Sequence, residues 1–95
     1  MQHPHHILIV DDDAMIRLLV ATALQAIGIK TTEAVSGEEA LKLYAEQGAD
    51  VVLLDVTMPG GMDGFAACAQ LRNLPNGQHV PVLMMTGRED LASIN

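Results

Sequence analysis

Ile7-Leu8-Ile9-Val10-Asp11-Asp12-Asp13 decides the fold: four aliphatic residues in a row run straight into three carboxylates. A strand buried on both faces of a parallel sheet has this continuous apolar character, whereas a half-exposed strand alternates. Val51-Val52-Leu53-Leu54 repeats the pattern and ends in Asp55, and Pro81-Val82-Leu83-Met84-Met85 repeats it again and ends in Thr86 and Gly87. Between the first two runs, Ala14 to Ile27 has helical spacing, with Ile16, Leu19, Val20, Ala23, Leu24 and Ile27 on one stripe. Asp13 is placed to cap its start and Gly28 to cap its end. Lys30 to Ala34, with two threonines, reads as a further strand. Ser36 and Glu39 stand at capping-box spacing before a helix that carries Ala40, Leu41 and Tyr44 and stops at Gly48. Asp63 is placed to cap a third helix from Gly64 to Leu74, and Asp90 to Asn95 reads as the first turn of another.

Strands that alternate with amphipathic helices imply a parallel sheet covered on both faces, the doubly wound α/β architecture. The chain has 95 residues and a mass of 10.1 kDa, room for a single domain over residues 1–95. Apolar residues make up 49% and charged residues 18%, a balance that excludes intrinsic disorder. Twelve acidic against five basic residues give a net charge of −7. So acidic a surface repels phosphate backbones and anionic lipid, so neither nucleic acid nor membrane is an expected direct partner. Cys68, the one cysteine, cannot form an internal disulfide, and no Cys/His spacing suggests zinc. No apolar run approaches the roughly 20 residues of a membrane span. Met1-Gln2-His3-Pro4-His5-His6 lacks the basic-then-apolar layout of a signal peptide, so a cytoplasmic location is expected. His3, His5 and His6 read as a solvated tail, and His79 as an exposed loop residue.

Ligands of doubly wound sheets bind beyond the carboxyl ends of the strands, where the strand order reverses. Three runs deliver polar groups to that edge: Asp11 and Asp12, Asp55, and Thr86. A single aspartate after a strand is ordinarily a cap or turn residue, but three carboxylates converging on one crevice repel one another unless a cation sits among them. Hard oxygen donors in small number favour Mg²⁺ over softer metals, and an acidic Mg²⁺ pocket beside a hydroxyl suits phosphoryl transfer.

Together, Ile7 to Asp13, Leu53-Leu54-Asp55-Val56-Thr57-Met58-Pro59, Met62-Asp63-Gly64-Phe65 and Pro81 to Gly87 resemble the response regulator receiver domain of two-component signalling, from Ile7 to Asn95. The resemblance implies a flavodoxin-like sheet of order 2-1-3-4, with the family's fifth strand and last helix missing. It makes Asp55 the acceptor of a phosphoryl group from a sensor histidine kinase or phosphotransfer protein. It makes Asp12 a Mg²⁺ ligand, Asp11 a second acidic partner, and the Thr57 backbone carbonyl a third contributor. Thr86 becomes the switch hydroxyl, and the Gly87 amide meets the phosphoryl oxygens. Such a domain is a signalling receiver rather than an enzyme, acting on an effector domain or partner that this sequence does not encode.

Two departures from the family pattern carry expectations. Gly60-Gly61 adds one glycine to the loop after Asp55, so that loop is expected to be locally looser. The family's lysine at the end of the fifth strand has no counterpart, since both lysines, Lys30 and Lys42, precede Asp55. With no fifth strand, strand four becomes a long aliphatic edge, and self-association through it is expected. The alternative reading is a receiver-like interaction module that does not switch.

Overall fold

The computed structural model describes residues 5–85. Its elements alternate as β1 (His6–Val10), α1 (Ala14–Ala26), β2 (Lys30–Ala34), α2 (Gly37–Gln47), β3 (Val51–Asp55), α3 (Gly64–Arg72) and β4 (Val82–Met85). The four strands are all parallel and lie in the order β2-β1-β3-β4. The chain therefore steps one way from β1 to β2 and returns across β1 to β3, so the order reverses between the two central strands. This is the flavodoxin-like, doubly wound sheet that the sequence implies.

The pleat sends alternate residues of each strand to opposite faces. Leu8, Val10, Val52 and Leu54 pack with Ala40 and Tyr44 of α2 and with Ala67 and Leu71 of α3. Ile7 and Ile9 pack on the other face with Ala21 of α1 and Ile29. Both faces of β1 are buried, which is why its sequence reads as an unbroken aliphatic run. Caps form where the sequence places them. Asp13 accepts from the Met15 and Ile16 amides, Ser36 from the Glu39 amide, and Asp63 from the Ala66 amide. Glu39 reaches back to the Val35 amide at 2.8 Å, completing the reciprocal pattern at the start of α2.

Several expectations change. Of the expected stripe on α1, Ile16, Val20 and Leu24 are half-buried beside the buried Ala21, but Leu19 is 59% and Ile27 71% exposed. One helix covers this face among the described residues, so it has a narrow contact line and leaves its flank in water. Helix α3 ends at Arg72, two residues early, because Leu74 precedes Pro75, whose ring disfavours helical backbone before it. His5 and His6 are not a solvated tail. His6 opens β1, both their amides donate to Asp50 Oδ2 at 2.9 Å, and His6 Nε2 lies 2.6 Å from Thr32 Oγ1.

The loop that returns the chain to β4 is fastened from two sides. Arg72 Nη1 donates to the Gly77 and Val80 carbonyls at 2.9 and 2.7 Å, and the Tyr44 hydroxyl donates to the Asn76 carbonyl. No helix among the described residues is long and apolar enough to cross a membrane. His3, Thr86, Gly87 and the expected helical turn from Asp90 to Asn95 lie outside the described residues.

Candidate functional site

Register brings the acidic residues together. Val10 pairs with Leu54, so the next residue on each strand, Asp11 and Asp55, leaves the sheet at the same edge. Asp11 extends the ladder one step further, its amide donating to the Ala34 carbonyl at 3.1 Å. Its Oδ1 accepts the Asp13 amide at 2.9 Å, and the residue is 6% exposed. Asp12 follows on the exposed side of the turn. Asp55, half-buried at the end of β3, accepts the Thr57 amide at Oδ1 over 3.2 Å. One carboxylate oxygen from each of Asp11, Asp12 and Asp55 lies within 4.8 Å of the others.

The electrostatics follow from this crowding. Burial, above all, pushes the Asp11 carboxyl above its ordinary range. Asp55, Asp12 and Asp13 push it further, and the Asp13 amide opposes them. Burial likewise raises Asp55, helped by Asp12 and Asp13, while the Thr57 amide and a side-chain hydrogen bond from Asp11 act the other way. Repulsion is thus balanced only in part by hydrogen bonds, and a hard divalent cation fits a set of three oxygen donors at this spacing.

The loop after Asp55 is anchored on both flanks of its exposed Pro59-Gly60-Gly61 tip: Met58 is buried, Met62 packs with the core, and the Gly64 amide donates to the Val56 carbonyl at 3.0 Å. Gly60 takes φ +85°, a backbone conformation that glycine adopts freely. Gly64 has a different reason to be glycine: a Cβ there would stand 2.3 Å from the Asp55 carbonyl oxygen. The first turn of α3 therefore rests directly on the end of β3, which fixes where Asp55 sits.

Sequence reasoning brought Asp11, Asp12 and Asp55 together, and the structure does the same. Thr57 is exposed beside Asp55, while Thr86 and Gly87 are outside the described residues. Arg17 was missed. Its guanidinium donates to the Asp11 carbonyl at 2.7 Å and to Glu33 Oε1 at 3.1 Å. The available signal was a basic residue four positions after the cap Asp13, one helical turn above the carboxylates.

Three carboxylates at the switch point of a doubly wound sheet make an acidic site, in place of the glycine-rich phosphate-binding turn of a dinucleotide binder. The sequence profile of the response regulator receiver domain matches residues 7–95, and the chain belongs to that family. It is 39% identical over 87 residues to a probable transcriptional regulator, ycf27, of Cyanidium caldarium, covering 92% of this chain and 33% of that protein. The N-terminal domain of a response regulator receiver protein from Methanoculleus marisnigri JR1 superposes with a TM-score of 0.81 at 35% identity, over 93% of this chain and 74% of that one. The receiver domain of sensor histidine kinase PA1611 from Pseudomonas aeruginosa PAO1 superposes with a TM-score of 0.83 at 27% identity, over 90% and 70% of the two chains. That structure has a magnesium ion coordinated in its active-site cleft. The chain thus spans about a third of its curated relative's length.

Proposed function

We propose that this receiver domain is a phosphoacceptor: Asp55 takes a phosphoryl group from the phosphohistidine of a sensor histidine kinase or phosphotransfer protein. Asp11, Asp12, Asp55 and the Thr57 carbonyl form the proposed Mg²⁺ site. The observation that carries the reading is the approach of three carboxylate oxygens to within 4.8 Å, with Asp55 on a central strand between two others. Mg²⁺, when bound, neutralises charge on the phosphoryl oxygens. The Thr57 amide holds one Asp55 oxygen and so fixes the plane of the carboxylate. A carboxylate oxygen of Asp55 attacks phosphorus, an O–P bond forms, the N–P bond to imidazole breaks, and the imidazole keeps the electron pair. Hydrolysis of the acyl phosphate by water later restores Asp55.

Phosphorylation adds a charge of about −1.5 to −2 to this pocket. In the proposal, the Thr86 hydroxyl and the Gly87 amide meet the new oxygens, and the change passes to an effector domain or partner in the cytoplasm. Self-association through β4 belongs to the same reading. Among the described residues β4 is last in the sheet order, and its Leu83 is 59% exposed. Sedimentation over a concentration series tests this, and a monomer throughout, with β4 amides protected from exchange, overturns it. The phosphoacceptor role is tested with a radiolabelled, autophosphorylated kinase core. Label should pass to the wild type in Mg²⁺ and not to Asp55→Asn. Labelled Asp55→Asn would overturn the assignment, and an unlabelled wild type would favour a non-switching interaction module.

A further inference from the structure

We infer that Arg17, braced by Glu33, is a positioning residue for the acidic cluster, and that it acts by pinning the Asp11–Asp12 peptide. The inference rests on the reading of Asp11, Asp12 and Asp55 as a cation site.

The chain has three residues, Asp11 to Asp13, in which to turn from β1 into α1. The amides, carbonyls and carboxylates of Asp11 and Asp13 are all engaged. The Asp11 amide is held by Ala34, the Asp11 carboxylate by the Asp13 amide, and the Asp13 carboxylate by the first amides of α1. The Asp12 carboxylate has no hydrogen bond among the described residues, so its direction depends on its backbone. That backbone is set by the peptide plane it shares with the Asp11 carbonyl, because the peptide unit is rigid. Arg17 Nη1 donates to that carbonyl at 2.7 Å.

Arg17 is itself fixed. Its Nε donates to Glu33 Oε1 at 3.1 Å, and its side chain is only 13% exposed against 43% for Glu33. The two donors leave a planar fork in set directions, so holding one aims the other. Glu33 directly precedes Ala34, whose carbonyl holds the Asp11 amide, so one segment of β2 braces the peptide groups on both sides of Asp11, one directly and the other through Arg17. The pair thus ties β2, α1 and the β1–α1 turn together beside Asp12, the carboxylate of the three that has no hydrogen bond among the described residues.

Charge and positioning predict opposite signs. A guanidinium beside a cation site repels the cation, so on charge alone its removal tightens Mg²⁺ binding. If Arg17 positions Asp12, its removal weakens binding, by about tenfold, as losses of groups that orient metal ligands do. The test is a Mg²⁺ titration followed by amide chemical shifts in wild type, Arg17→Met, Arg17→Lys and Glu33→Ala. Amide hydrogen exchange of the metal-free proteins is measured alongside. Arg17→Met should weaken Mg²⁺ about tenfold and speed exchange at Asp12 and Asp13, leaving Val52 and Leu54 protected. Arg17→Lys keeps the charge but not the fork and should fail to restore affinity. Glu33→Ala leaves α1 intact but removes a negative charge, so weaker Mg²⁺ binding is expected of it on either account; its faster exchange at Asp12 and Asp13 keeps the test open if Arg17→Met does not fold. Unchanged or tighter Mg²⁺ binding by a folded Arg17→Met, or wild-type exchange at Asp12 and Asp13 in Glu33→Ala, would overturn the inference. A wild type that binds no Mg²⁺ would refute the cation site instead, and exchange at Asp12 and Asp13 would still decide whether Arg17 pins the turn.

Discussion

Replacing Asp55 by asparagine should make the metal-free protein more stable while removing its proposed chemistry. The substitution takes one negative charge from three carboxylates whose oxygens lie within 4.8 Å. At that separation two unit charges repel by about 3.5 kcal/mol at an effective dielectric near 20, and by about 0.9 kcal/mol in bulk water. Asp55 is half-buried and Asp12 exposed, so solvent screening draws the sum toward the lower figure. Asparagine matches the shape of aspartate, and its Oδ1 can accept the Thr57 amide as before. The net gain should be on the order of 1 kcal/mol at neutral pH and low salt. Urea unfolding in the presence of a chelator measures it, and the gain should shrink as salt rises. Saturating Mg²⁺ should stabilise the wild type by mass action and narrow or reverse the difference. A variant no more stable than wild type in metal-free, low-salt buffer would refute the reasoning, as would a gain insensitive to salt.

The remaining predictions concern the same edge of the sheet. Asp12→Ala should abolish Mg²⁺ binding, with a smaller loss for Asp11→Ala; calorimetry that found equal affinity in wild type and Asp12→Ala would contradict the ligand assignment. Asp11 and Asp55 are both raised, chiefly by burial, so through the mildly acidic range the folded chain holds protons that the unfolded chain has released. Their contribution to metal-free stability therefore falls as pH rises from the ordinary aspartate range through the raised values. That fall should be steeper in wild type than in Asp55→Asn when unfolding is measured across this range, and an equal or shallower slope would contradict it. Gly64→Ala would set a Cβ 2.3 Å from the Asp55 carbonyl oxygen and 2.8 Å from Val56 Cα, both backbone atoms. It should cost about 1–3 kcal/mol and weaken Mg²⁺ binding through displacement of Asp55, and wild-type unfolding and titration curves would contradict it.

What the sequence made legible was local or periodic. The runs at Ile7 and Val51 announce buried parallel strands because both of their faces meet apolar groups, and the carboxylates at their ends coincide once the strands lie side by side. The caps at Asp13, Ser36 and Asp63 were legible because each bonds amides within three residues of itself. Leu19 and Ile27 were not, because helical spacing says which side chains share a face but not how wide a neighbour covers it. His6 was misread because its partners are the distant Thr32 and Asp50. Arg17 escaped for a partly related reason: its bond to the Asp11 carbonyl is local, but the Glu33 carboxylate that braces it is set there only because β2 lies beside β1. Gly64 read as a helix start, while its contact with Asp55 comes from α3 folding back onto β3.

The central claim is that Asp55 accepts a phosphoryl group. Its most direct test is intact-mass spectrometry of the protein after incubation with a small acyl phosphate, with Mg²⁺ and with chelator. A mass increase of one phosphoryl group in Mg²⁺, absent with chelator and absent from Asp55→Asn, is the predicted result. The same increase in Asp55→Asn, or none in the wild type with Mg²⁺, would contradict it.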